Sequence, residues 1–201
     1  LKTLAIPLKE AGLKRVNVSL DTLDPKRYSE ITGADRVSEV LAGIDAAVEA
    51  GLEPVKVNVV ALPGSTVDGL MLEATAIWQM GAQPQIIEMV GQDYYPLDAL
   101  ERHLENIALG TEHRPLHRRR VYAVPSTQGE MRVELVRPMH NSEFCANCTR
   151  LRLTAGGWLK PCLMHDRGLV DILTPLRKGN IDVLPDLFRR AVLNRHPYWT
   201  D

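Results

Sequence analysis

Between residues 14 and 90 the period of the apolar positions switches back and forth. Val16, Val18 and Leu20 alternate with Asn17 and Ser19, so Arg15 to Leu20 predicts a strand. Val37, Val40, Leu41, Ile44 and Val48 then recur at helical spacing and stop at Gly51. Val55 to Val60 predicts the next strand, Pro63-Gly64 breaks it, and Ser65 with Asp68 suggests a capping box for a helix through Leu72 to Met80. Gln85 to Val90 predicts a third strand. Strand, helix, strand, helix, strand with short connections predicts an α/β fold on a parallel sheet, barrel or doubly wound, with about half a barrel in residues 1–93.

Past Asp93 the pattern changes. Tyr94 to Ala108 predicts a helix, and His113 to Arg120, with three consecutive arginines, reads as a solvated basic connector rather than a binding patch. Val121 to Val124 and Met131 to Val136 predict short strands, and Leu169 to Lys178 and Leu184 to Asn194 predict helices before a polar His196-Pro197-Tyr198-Trp199 segment. Residues 94–201 are therefore expected to form a second domain, of α+β type.

Parallel strands covered on both faces usually read as unbroken apolar runs, and these do not. Residues two apart share a face. Asn17 and Ser19 therefore lie together on the first strand, Lys56 and Asn58 on the second, and Glu88 interrupts the third. Buried unpaired charge is costly, so the pattern predicts one polar interior in which Lys56 and Glu88 pair, unless both reach solvent at strand ends.

Composition narrows the function classes. The 201 residues are 45% apolar and 24% charged, a globular balance. A net charge of -1 provides no global field toward nucleic acid or membrane. No apolar run approaches the roughly 18 residues of a membrane span, and no signal peptide is evident, so the cytoplasm is the expected address. Three cysteines are too few for a disulfide framework and raise the question of a metal.

Those cysteines are spaced C-x2-C-x13-C, as Cys145, Cys148 and Cys162. Leu151 and Leu153 alternate with Arg150 and Arg152, Ala155-Gly156-Gly157 supplies a turn, and Trp158 to Cys162 runs back. The predicted hairpin carries Cys148 and Cys162 to its open end. Cys148, Arg150 and Arg152 share a face, and two guanidiniums beside a thiolate-held centre suit phosphate. Two metals fit. With His165, or His140, the set becomes a Cys3His structural zinc site, which spacing alone favours; three cysteines could also hold an iron-sulfur cluster with one iron open.

Arg15-Val-Asn-Val-Ser-Leu-Asp-Thr-Leu-Asp-Pro25, Val55-Lys-Val-Asn-Val-Val60, and Phe144-Cys-Ala-Asn-Cys-Thr-Arg-Leu-Arg-Leu-Thr154 through Lys160-Pro-Cys162 resemble the C-terminal portion of the GTP 3′,8-cyclase family. These are radical S-adenosylmethionine (SAM) enzymes of molybdenum cofactor biosynthesis, and the resemblance covers essentially the whole chain. It implies the back half of a partial TIM-like barrel followed by a cluster domain, and it favours iron over zinc. Cys145, Cys148 and Cys162 would ligate a [4Fe-4S] cluster whose open iron meets the purine of GTP. Lys56, Arg150 and Arg152, with the backbone at Leu151, would hold GTP, which explains Lys56 better than a structural ion pair does. Ser19 would contact SAM, as would Val90 through its backbone or packing, where the family usually has Met. The family also implies a homodimer.

The family's first [4Fe-4S] cluster sits on a C-x3-C-x2-C motif absent from these residues. Leu1 looks like a cut edge, and the paired glycines typical of the family's tail are missing. The expectation is a longer gene product, with this chain alone inactive. The competing expectation is a non-catalytic nucleotide-binding module stabilised by zinc or a cluster.

Overall fold

A computed structural model of the chain describes residues 1–91 and 95–199. Its helices and strands run α1 (Ala5–Glu10), β1 (Val16–Ser19), α2 (Pro25–Thr32), α3 (Val37–Glu49), β2 (Val55–Ala61), α4 (Val67–Gln79), β3 (Gln83–Glu88), α5 (Asp98–Ile107), β4 (Gly110–His113), β5 (Arg120–Ser126) and β6 (Gly129–Val136). There follow α6 (Ser142–Ala146), β7 (Arg152–Leu153), β8 (Trp158–Lys160), β9 (Val170–Asp171), α7 (Leu173–Arg177) and α8 (Leu184–Leu193).

The alternating valines give strands with one buried face. β2 shows strict alternation, with Val55, Val57, Val59 and Ala61 buried and the residues between them half-buried. The sheet order is β1-β2-β3-β6-β5-β4. Neighbours among the first four strands are parallel, and β6-β5-β4 form an antiparallel meander. A mixed α/β architecture dominated by parallel pairing is the result. Ile44 and Ala47 of α3 and Leu70, Ala74 and Ile77 of α4 pack with the valines in one core that extends to Leu100 and Leu104 of α5 and to Tyr122, Val133 and Leu135.

Several local expectations shift. The cap of α4 is Thr66, whose hydroxyl accepts from the Gly69 N–H at 3.1 Å; Ser65 accepts instead from Leu62 N–H. β3 begins two residues earlier than expected and ends before Val90. Pro84 is tolerated because β3 has no partner on its second side until Gln85 meets Glu134. Leu169 to Lys178 is not one helix, since Val170–Asp171 form an edge strand before α7. Helix α2 was not foreseen, although Asp24 caps it by accepting from Arg27 N–H and Pro25 opens it.

The chain divides into two compact units, residues 1–114 with 119–139 and residues 115–118 with 140–201. The expected boundary at Asp93 and the expected helix start at Tyr94 lie outside the described residues. The meander after them continues the first sheet rather than opening a second unit. Thr200 and Asp201 are also outside the described residues. The second unit has its own small core of Leu159, Val170, Ile172 and Ala191, with Leu151, Leu184 and Leu187 against it. No helix among the described residues is long and apolar enough to cross a membrane.

Candidate functional site

In the first unit the register aligns polar residues into rows on one face of the parallel strands. Asn17, Lys56 and Gln83 are partners across β1, β2 and β3. Two residues further along come Ser19, Asn58, Gln85 and Glu134. Asn17 and Ser19 are exposed, Gln85 and Glu134 are buried, and the others are half-buried. The expected polar face is present on the first two strands, is made by Gln83 and Gln85 rather than Glu88 on the third, and extends to Glu134 on a fourth.

Its ion pairing differs from expectation. Lys56 pairs with Glu134, not Glu88. Glu88 aligns with Ala61 and so lies on the opposite, helix-covered face, where it accepts from Met139 N–H at 2.9 Å with Arg137 3.9 Å away. Side-chain period in a strand is two, so the parity of the β2–β3 register decides the face, and the sequence does not give that register. Burial pushes the Glu88 carboxyl up from its ordinary value, opposed by the Met139 N–H and Arg137. Glu134 also receives Arg119, Nη1 to Oε1 at 2.9 Å. The arginine run is therefore not a solvated connector: Arg119 reaches the polar face, and Arg120 binds Glu101 at 2.9 Å and Glu105 at 3.1 Å.

Three buried amide atoms on this face, Asn58 Oδ1, Gln83 Nε2 and Gln85 Nε2, have no hydrogen-bond partner among the described residues. Leaving a buried polar group unpaired costs about 1–3 kcal/mol. The two amide N–H groups beside the cations suit an anionic group, and the Asn58 oxygen a hydrogen-bond donor, as a ligand carrying both, such as a nucleotide, would present. Sequence reasoning missed Glu134, Gln83, Gln85 and Arg119. The signal was the polar character of Gln83 and Gln85 at alternate positions, obscured by the intervening proline.

In the second unit the hairpin is real but shorter than expected. Arg152 pairs with Lys160 and Leu153 with Leu159, and the turn closes with Gly157 N–H donating to Thr154 O at 3.0 Å. Cys162 lies two residues past the ladder and Cys148 four residues past it on the other strand, so both follow its open end. The alternation does not extend back to Cys148. Leu151 packs on the small core while Leu153 is 64% exposed, so the two leucines do not share a buried face. Arg150 is exposed, its carbonyl accepting from Arg195 at 3.0 Å, and Arg152 is half-buried. Cys145 is buried in α6, which Asn141 caps by accepting from Phe144 N–H; Cys148 and Cys162 are half-buried, and all three are free thiols.

Among the described residues no three His, Cys, Asp or Glu side chains gather closely enough to hold one metal ion. A tetrahedral zinc would bring its thiolates to roughly 3.8 Å of one another, given Zn–S bonds near 2.3 Å. His165 is also engaged. Its Nε2 lies 2.9 Å from the His196 carbonyl, to which it donates, and its Nδ1 accepts from Arg167 N–H at 3.3 Å. Both nitrogens are used, so His165 does not complete a Cys3His set. Three soft thiolates are a donor set that suits iron as well as zinc.

Residues 2–72 match the radical SAM superfamily, which sets the class of the chain. Residues 79–200 match the family described as Molybdenum Cofactor Synthesis C. The chain is 47% identical to the probable GTP 3′,8-cyclase of Pyrococcus abyssi over 100% of its own length and 69% of the relative. The corresponding protein of Pyrococcus horikoshii is 46% identical over 98% of this chain and 67% of that one. For Thermococcus kodakarensis the identity is 43%, over 99% and 68%. The chain belongs to the GTP 3′,8-cyclase family and spans about two thirds of the length of these relatives.

Proposed function

We propose that this chain carries the substrate-binding and second-cluster portion of a radical SAM GTP 3′,8-cyclase, a lyase that converts GTP to (8S)-3′,8-cyclo-7,8-dihydroguanosine 5′-triphosphate in molybdenum cofactor biosynthesis. The observation that carries the reading is the polar sheet face, on which Lys56 stands among buried amides without partners. In this reading the first unit contains the back half of a partial radical SAM barrel and the second unit the cluster-binding domain, in a cytosolic homodimer.

The reaction joins ribose C3′ to guanine C8, so both ends of the nucleoside must be immobilised together and kept from water. Positioning of that kind can supply several kcal/mol of the barrier. Lys56, Arg150 and Arg152 hold the phosphates, with the Leu151 backbone beside them. Ser19, exposed at the end of β1, and Val90, just past β3, contact SAM. Cys145, Cys148 and Cys162 hold a [4Fe-4S] cluster. When bound, this cluster would supply an iron open to the purine, while SAM and a further cluster would supply the radical. Arginine suits the phosphate role because its planar fork binds oxygens in pairs.

Anaerobically purified protein is expected to be brown and to contain iron and sulfide. Cys162→Ser should release most of the iron without unfolding the sheet of the first unit; full iron retention would remove Cys162 from the ligand set. Arg150→Ala should weaken GTP binding to the cluster-loaded protein about tenfold, the loss of one charge-assisted contact. An unchanged dissociation constant would take Arg150 out of the site.

A further inference from the structure

We infer that Asp21 is a positioning residue of the SAM subsite, holding the carboxyl end of β1 so that the Ser19 hydroxyl is fixed before its ligand arrives. The inference rests on the proposed SAM contact of Ser19 and deepens it.

The ladder between β1 and β2 stops at the level of Ser19 and Asn58, where Leu20 N–H donates to Asn58 O at 2.9 Å. The next N–H that β2 turns toward β1, that of Val60, donates to the Asp21 carboxylate, with Oδ1 at 2.9 Å. A side chain thus takes the rung where the strand has ended. The residues that follow are held from α4. Thr22 is buried, and its hydroxyl and the Leu23 N–H both donate to the Glu73 carboxyl. Thr22 Oγ1 in turn accepts from Asp24 N–H at 3.2 Å, and Asp24 accepts from Arg27 N–H at 2.7 Å as the cap of α2. Between β1 and α2, therefore, the chain is fixed by a run of side-chain hydrogen bonds reaching from β2 to α4.

In α/β sheets ligands bind beyond the carboxyl ends of the parallel strands, and this is the end at which Ser19 is exposed. A hydroxyl on a frayed strand end would have to be ordered as the ligand binds, at a cost in affinity. With Leu20 in the core and both Leu20 and Asp21 tied to β2, Ser19 is ordered beforehand. What Asp21 supplies in this role is an acceptor in the right place, and its charge is incidental.

The test measures SAM and GTP binding to the cluster-loaded chain by anaerobic calorimetry. Asp21→Ala should weaken SAM about tenfold, the equivalent of one hydrogen bond, and leave GTP unchanged. Asp21→Asn keeps an acceptor for Val60 N–H and should bind SAM as the parent does. Ser19→Ala should weaken SAM to a similar degree, and the double variant no further, because Asp21 acts only through Ser19. Losses that add, or an Asp21→Asn variant as weak as Asp21→Ala, would mean that Asp21 meets SAM directly; GTP affinity falling in step with SAM would mean general loosening. Each of these overturns the inference. Should Asp21→Ala fail to fold, as judged by circular dichroism, Asp21→Glu decides: it keeps the charge but moves the acceptor by one methylene, so weaker SAM binding is expected and unchanged binding overturns positioning. If Ser19→Ala weakens SAM while Asp21→Ala does not, the inference fails and the SAM reading stands. If Ser19→Ala has no effect, Ser19 is not a SAM contact and both fail.

Discussion

Glu88 and Glu73 are carboxylates whose burial raises them above the ordinary value of 4.5. For Glu73 on α4 the Thr22 hydroxyl and Leu23 backbone oppose the shift; for Glu88 the Met139 N–H and Arg137 do. The folded chain retains these two protons to higher pH than the unfolded chain. Their stability contribution is therefore full below about pH 4.5 and is lost as pH climbs through the raised folded values. Glu88→Gln keeps a carbonyl for the Met139 N–H and removes the ionisation. Thermal melts from pH 4.5 to 7.5 should show a shallower decline with rising pH for this variant than for the parent, and parallel curves would contradict the assignment. The same residue shows where sequence reasoning stops. A Lys56–Glu88 pair was expected unless both reached solvent, and Glu134 takes that place because the face Glu88 occupies depends on a register set by packing across strands distant in sequence.

Secondary structure with a local cause was well anticipated. β1, β2, α3, α4, β5, β6 and α8 all follow from apolar period, turns and glycine stops. The elements that escaped, α2, β4, α6 and β9, are short or polar, and pairing or capping defines them rather than an apolar stripe. The turn between β7 and β8 was foreseen as glycine-rich, but its packing was not. Gly157 has φ +77, and a Cβ there would fall 2.3 Å from Leu173 Cβ. Gly157→Ala combines a left-handed backbone with this clash and should cost about 2 kcal/mol or more. Hydrogen exchange should show the loss in β7, β8 and β9, with the β2–β3 ladder unchanged; equal loosening in both would mean that the effect is not local.

The chain does not divide into its two units at a single point. Residues 115–118 belong with 140–201, although residues on both sides of them belong to the first unit. His117 is buried, in a left-handed conformation at φ 62, with its ring stacked on Phe144 at 4.0 Å and its N–H donated to Asn147 O at 3.1 Å. Phe144→Ala should therefore raise exchange at residues 115–118 as well as around α6, and protection unchanged at 115–118 would show that the stack holds nothing. The candidate site was readable to a similar mixed degree. The cysteines stand out in the sequence by their spacing, and the polar strand face because it puts polar residues in covered strands. The buried glutamate and its second cation do not, because each looks like an ordinary surface charge until the sheet is assembled.

The three successive arginines each answer a different address: Arg118 to Glu143, Arg119 to Glu134 and Arg120 to Glu101 and Glu105. Losing any one of them leaves a stretch of two arginines that no aligner could distinguish from the loss of another, and hydropathy would hardly change. Yet the surviving guanidiniums would be delivered one step out of phase, each to a neighbour's carboxylate. Length here is as strictly specified as identity, and a single-codon deletion should be far more damaging than exchanging any one of the three for lysine.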